Sequence, residues 1–121
     1  MPLPMKKVLV VDDVPVNRKL ALAMLKKRGW QAEEVDNGAA ALERLSAGGF
    51  DGVLLDISMP GMDGEEVCRR IRADGRFAGL RIVAYTAHAM EFEKERILSA
   101  GFDSIMIKPI TMSALQSALP D

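Results

Sequence analysis

Apolar and polar positions fall into blocks of two kinds along this chain. Four short runs are continuously apolar and rich in Val and Ile: Val8–Val11, Val53–Leu55, Ile82–Ala84 and Ile105–Ile107. Continuous runs of this length suit parallel strands covered on both faces. A fifth run, Gln31–Val35, carries Glu33 and Glu34. Those charges suit an edge strand, where they discourage pairing with other chains.

Between the runs the apolar spacing turns helical. Val16, Leu20, Ala23, Met24 and Lys27 lie on one stripe, with Pro15 a good first-turn residue and Gly29 a stop. Ala39–Leu45 repeats the pattern and ends near Gly48-Gly49. Val67 and Ile71 anchor a third helix after Asp63-Gly64. A fourth spans about Met90–Ala100 and stops at Gly101, and a short last one spans about Thr111–Leu119. Strand and helix alternate five times. That order predicts an α/β domain: a doubly wound parallel sheet, (βα)5, with right-handed crossovers and helices on both faces.

Composition narrows the picture. At 121 residues the chain reads as one domain, residues 1–121, with a core over about 5–119 and short frayed tails. A 49% apolar content argues against disorder. The net charge of −1 argues against a dedicated nucleic-acid binder. Cys68 is the single cysteine, so it forms no internal disulfide; it reads as a small apolar filler, and a cytoplasmic compartment fits. Lys6-Lys7 precede only a four-residue apolar run, and a signal-peptide core needs about 7–15. Nothing approaches the roughly 20 apolar residues of a membrane span, so no membrane association is expected.

In an open α/β sheet the site lies beyond the carboxyl ends of the strands. Asp12-Asp13 follow the first run, Asp56 the third, Thr86 the fourth and Lys108-Pro109 the fifth. Three carboxylates, a hydroxyl and an ammonium therefore share one rim. Two carboxylates about 4 Å apart repel by roughly 4 kcal/mol at an effective dielectric of about 20. Three need a cation, or one must protonate. Lys108 supplies one positive charge, and Mg²⁺, which takes one or two carboxylates plus waters and phosphate oxygens, would supply two more. Such a set invites phosphoryl chemistry: an Asp nucleophile, a metal and a Lys to neutralise the transferring group, and a hydroxyl to bond it.

The segments Val8-Leu9-Val10-Val11-Asp12-Asp13, Asp56-Ile57-Ser58-Met59-Pro60-Gly61-Met62-Asp63-Gly64, Thr86-Ala87-His88-Ala89-Met90 and Lys108-Pro109-Ile110 resemble the receiver domain of bacterial two-component response regulators. The resemblance covers about residues 5–119. It implies the flavodoxin-like strand order 2-1-3-4-5, for which the chemotaxis receiver is a standard example. It implies that Asp56 is the phosphoacceptor, attacking a partner's phosphohistidine. Asp13 and Asp56 would bind Mg²⁺ through their carboxylates, Ser58 through its carbonyl, and Asp12 through water. Thr86 and Lys108 would bond the phosphoryl group. Ala87 would keep the phosphate accessible, Ser58 and His88 would tune dephosphorylation, and Lys108-Pro109 would be cis, a form cheaply available only before proline. Where the family often has an inward-swinging aromatic switch, this chain has Ile105. Tyr85, beside Thr86, reads as core, pointed elsewhere by strand alternation.

By the same resemblance the partners are a sensor histidine kinase or a histidine phosphotransferase, docking most readily on the first helix, and a downstream protein target. The domain is expected to be a monomer until phosphorylated. It would be a self-phosphorylating switch and not a turnover enzyme. Met1 and the short ends suggest a stand-alone receiver without an output domain, though hybrid-kinase receivers share its motifs. Three rivals fare worse. An Asp-nucleophile phosphohydrolase typically has a second carboxylate two residues on, where this chain has Ser58. A flavin or nucleotide module wants a Gly-rich first turn, and Asp12–Asn17 has no glycine. A contact-only domain would lack an acidic or lysine position, and none is missing. Arg69, Arg70, Arg72 and Arg76 read as a solvated face rather than a docking patch, as does the charged Glu91–Arg96 run.

Overall fold

The computed structural model describes residues 6–59, 61–87 and 91–120. Each apolar run becomes a strand, most one or two residues longer than the run itself: β1 (Lys7–Val11), β2 (Gln31–Val35), β3 (Gly52–Asp56), β4 (Arg81–Thr86) and β5 (Ser104–Ile107). The helices are α1 (Pro15–Lys27), α2 (Gly38–Ser46), α3 (Gly64–Ala73), α4 (Glu91–Ser99) and α5 (Met112–Ala118). A short 3-10 turn at Gly75–Phe77, not foreseen in the sequence, starts where Asp74 accepts the Arg76 N–H. All neighbouring strands are parallel, in the order β2-β1-β3-β4-β5.

Period-2 alternation sends the sheet's side chains into two cores. Leu9, Val11, Val53, Leu55, Ile82 and Ala84 pack under α2, α3 and α4 through Ala41, Leu45, Val67, Cys68, Ile71 and Ile97. Val8, Val10, Leu54, Val83, Tyr85 and Met106 pack under α1 and α5 through Ala21, Leu22, Leu25 and Leu115. Burying a side chain such as Leu or Val is worth about 1.5–3 kcal/mol. Cys68 is one of these fillers, and burial pushes its thiol up to about 11.

Helix ends follow local chemistry. Asn37, Asp63 and Thr111 accept the N–H groups of Ala40, Glu66 and Ala114, capping α2, α3 and α5. Gly29 and Gly101 take φ of 85° and 116° at the ends of α1 and α4, a region that glycine enters without a Cβ clash.

The α1 stripe read from the sequence is corrected. Val16 is 70% and Leu20 40% exposed, while Ala21, Leu22 and Leu25 face the sheet. The inward stripe also holds Arg18, whose stem is covered while its guanidinium bonds the Asp12 carbonyl and Glu34, both at 2.8 Å. β2 does lie at the edge. Its glutamates serve more than to repel other chains: Glu33 pairs with Lys7 and Arg44, and Glu34 with Arg18 and Lys19. These contacts hold both carboxyls below their ordinary values.

Candidate functional site

The carboxyl ends of β1, β3, β4 and β5 bring Asp12, Asp13, Asp56, Thr86 and Lys108 to one rim. Asp12 and Asp56 are held alike. Each carboxylate accepts, on Oδ1, the N–H two residues on: Val14 at 2.9 Å for Asp12 and Ser58 at 3.1 Å for Asp56. Each turns Oδ2 to the Lys108 ammonium, at 2.9 Å from Asp12 and 3.5 Å from Asp56. Asp13 stays exposed, and a carboxylate oxygen from each of the three aspartates lies within 4.8 Å of the others.

Several backbone contacts fix this geometry. Lys108 donates its N–H to the Thr86 carbonyl at 2.8 Å, and its peptide bond to Pro109 is cis. Gly64 opens α3 against the back of the site; a Cβ there would lie 2.3 Å from the Asp56 carbonyl oxygen and 2.8 Å from Ile57 Cα. The missing side chain of Gly64 thus lets α3 approach β3.

Electrostatics match the crowding. Burial pushes the Asp56 carboxyl up to about 6 from 3.8; the Ser58 N–H and Lys108 oppose the rise, and the Asp12 carboxylate adds to it. One ammonium among three carboxylates leaves a negative, all-oxygen donor set, which suits a hard divalent ion such as Mg²⁺. Asp12, Asp13 and Asp56 are the side chains that could hold it. Beside them opens a cleft of about 370 Å³, lined by Asp13, Asp56, Ser58, Thr86, Ala87 and Lys108 and walled across by Glu93, Arg96 and Ile97 of α4.

Ser58 and Ala87 are exposed at the cleft, and Thr86 is buried at its edge. His88 lies outside the described residues, as do Pro60 and Met90. Ile105 is half-buried against the α3–α4 side of the core. Arg96, read as part of a solvated run, crosses to Glu65 on α3 at 3.1 Å. The four arginines of α3 and its following turn form no patch: Arg69 and Arg70 face Glu66, Arg76 pairs with Asp74, and Arg72 reaches Asp103.

The sequence reading missed one neighbour of the site. Tyr85 points away from Thr86, as alternation requires. The same alternation puts it on the face of Asp12, Asp56 and Lys108, each two residues past an α1-side core residue (Val10, Leu54, Val83 and Met106). Its ring centroid lies 4.7 Å from Lys108 Nζ.

Comparison with known proteins agrees with the fold. Residues 8–120 match the family model "Response regulator receiver domain". Sensor histidine kinase RcsC of Salmonella typhi is 43% identical over 112 residues, covering 93% of this chain and 12% of that protein. The chain therefore spans about an eighth of the length of such curated relatives. The receiver domain of sensor histidine kinase PA1611 from Pseudomonas aeruginosa, solved with a magnesium ion coordinated in its active site cleft, superposes with a TM-score of 0.85 at 32% identity. That match covers 94% of this chain and 93% of the other. Chemotaxis response regulator CheY4 of Vibrio cholerae gives 0.89 at 27% identity, covering 96% and 100%. The family model, the relatives and the strand order converge, and the chain belongs to the response regulator receiver domains of two-component systems, the phosphoacceptor switches of those pathways.

Proposed function

We propose that Asp56 accepts a phosphoryl group from a phosphohistidine of a sensor histidine kinase or histidine phosphotransferase. The carrying observation is the paired geometry of Asp12 and Asp56, each with one oxygen on a backbone N–H and the other on Lys108. An Asp56 oxygen attacks phosphorus and forms the new O–P bond. The P–N bond breaks, its electron pair stays on the imidazole nitrogen, and that nitrogen takes up a proton. With its carboxyl at about 6, Asp56 is mostly the ionised nucleophile at pH 7 and above. Lys108 offsets the charge of the incoming oxygens, and the Thr86 hydroxyl bonds one of them. The Oδ1 bonds to backbone orient both carboxylates before the reaction.

Asp12, Asp13 and Asp56, with the Ser58 carbonyl, would hold Mg²⁺, which when bound supplies two positive charges against the carboxylates and the transferring group. Ser58, Ala87 and His88 govern access of water to the product, which sets its lifetime. Exposed Val14, Val16 and Leu20 flank the rim on the α1 side and suit an apolar docking helix of the donor. A downstream protein target reads the phosphorylated state. The domain acts in the cytoplasm, and no helix of the described residues is long and apolar enough to cross a membrane. It binds no nucleic acid, is monomeric until phosphorylated, and behaves as a switch, not a turnover enzyme. Ile105 leaves the α4 side of the cleft, with Arg96 and Glu93, to carry the signal.

The test is labelling by acetyl phosphate with Mg²⁺, read by intact mass. One phosphoryl group should add to the wild type and none to Asp56→Asn. Undiminished labelling of the variant overturns the assignment. Rapid multiple-turnover release of phosphate from small esters would replace it with a hydrolase.

A further inference from the structure

Lysine carries its charge on a flexible four-carbon stem with rotatable donors. At this rim the ammonium must reach two carboxylates at once, and Asp12 at 2.9 Å is nearer than Asp56 at 3.5 Å. Those two contacts alone favour a slide toward Asp12. A third contact opposes it: the ring of Tyr85, 4.7 Å from Nζ, within the roughly 6 Å reach of a cation–π contact. Tyr85 is fully buried, and β3–β4 pairing sets it beside Asp56. The Lys108 side chain is only 15% exposed, so water screens the contact little. The Tyr85 hydroxyl is buried and has no hydrogen-bond partner among the described residues. Burial, with the Asp12 and Asp56 carboxylates adding, pushes it up to about 12, so the ring stays neutral. The contact is therefore made by the ring face and not by the hydroxyl.

We propose that Tyr85 is a positioning residue for phosphoryl acceptance: its ring face holds the Lys108 ammonium between Asp12 and Asp56, where it meets the incoming phosphoryl group. The proposal rests on the assignment of Asp56 as phosphoacceptor. It concerns a ring contact made by this chain's own Tyr85 and is independent of the switch position, Ile105.

The experiment compares wild type, Tyr85→Phe and Tyr85→Leu in two measurements. The first is the rate of acetyl phosphate labelling at saturating Mg²⁺. The second is the NMR position of the Lys108 ε-methylene, which an aromatic face shifts upfield. The Leu variant should label about tenfold more slowly, equivalent to about 1.4 kcal/mol. The conservative Phe variant should restore the wild-type rate. The ε-methylene should be upfield in wild type and Phe and ordinary in Leu. A purely packing role for Tyr85 would lower the unfolding temperature of the Leu variant and leave the folded protein's labelling rate where it was. A Leu variant that labels at the wild-type rate overturns the proposal, as does a Phe variant as slow as Leu. If the Leu variant does not fold, the wild-type resonance decides, and an ordinary ε-methylene position overturns the proposal. Absence of labelling in the wild type removes the phosphoacceptor assignment and this proposal with it; wild-type labelling with an unslowed Leu variant removes this proposal alone.

Discussion

The two rims of the sheet treat the same residue type in opposite ways. At the amino-terminal rim, Asp51 and Asp103 each stand one residue before a strand. Asp51 accepts the Lys7 N–H at 2.9 Å and returns its own N–H to the Lys7 carbonyl at 2.8 Å. Asp103 does the same with Ile82, at 2.8 Å in both directions. Arg72 then pairs with Asp103 at 2.6 Å and also bonds the Gly101 and Leu80 carbonyls. Every charge there has a donor or a counter-charge, and the result is a clasp between neighbouring strands. At the carboxyl rim, Asp12, Asp13 and Asp56 face one another with Lys108 among them. Under the proposed function, their remaining need would be met from outside the chain, by a cation and a phosphoryl group. The amino-terminal aspartates close their bonds between neighbouring strands and hold the fold; the three at the carboxyl rim share one ammonium and remain a net negative set.

Substitutions sharpen this contrast. The largest effect is expected from Asp56→Asn, which should abolish phosphorylation and yet stabilise the metal-free protein above pH 6. The sign follows from the raised carboxyl. Its value in the fold, about 6, exceeds the 3.8 of an unperturbed carboxyl. Its favourable contribution is full below about 3.8 and is lost as pH rises through about 6. Wild-type stability should therefore fall by on the order of 2 kcal/mol from this group between pH 4 and 7 without metal. The Asn variant should lose that component of the pH dependence, as chemical denaturation across the pH range would record.

Next comes Gly64→Ala, whose Cβ collides with the Asp56 backbone. It should cost roughly 1–3 kcal/mol and also slow labelling, since α3 must retreat from the site. Asp103→Ala should cost about 2 kcal/mol by freeing the Ile82 N–H and unpairing Arg72, with labelling of the folded protein unchanged. Equal loss of labelling in both variants would break the division between the rims. The smallest effect belongs to Arg96→Ala. Its ion pair with Glu65 is solvent-exposed, so at most about 1 kcal/mol of stability should be lost.

Much of this was legible in the sequence because strand position carries meaning. An apolar run that gives way to a polar residue marks a strand's carboxyl end, and Asp12, Asp56, Thr86 and Lys108 at four such ends assembled the rim. Gly29 and Gly101 marked helix ends because a positive φ was needed there. The failures have physical causes. The inward stripe of α1 was missed because Arg18 counts as polar, although its stem is covered by the fold. Tyr85 was placed away from the site because alternation was applied relative to Thr86. Counted from Val83, the same rule groups it with Asp56 and Lys108. The clasp roles of Asp51 and Asp103 depend on pairing between strands far apart in sequence, which no local pattern records.

Under the proposed function, the carboxyl rim is a destabilised acidic set completed by a cation and a phosphoryl group. The decisive measurement is thermal unfolding of wild type and Asp56→Asn near pH 7.5, run without metal, with Mg²⁺, and with Mg²⁺ plus beryllofluoride as a phosphoryl mimic. A ligand at about 100 times its dissociation constant adds about 2.7 kcal/mol, several degrees for a domain of this size. The wild type should rise with Mg²⁺ and again with the mimic, and the Asn variant should not respond to the mimic. A wild type that responds to neither ligand would show that the three aspartates and Lys108 are not an assembled phosphoacceptor site.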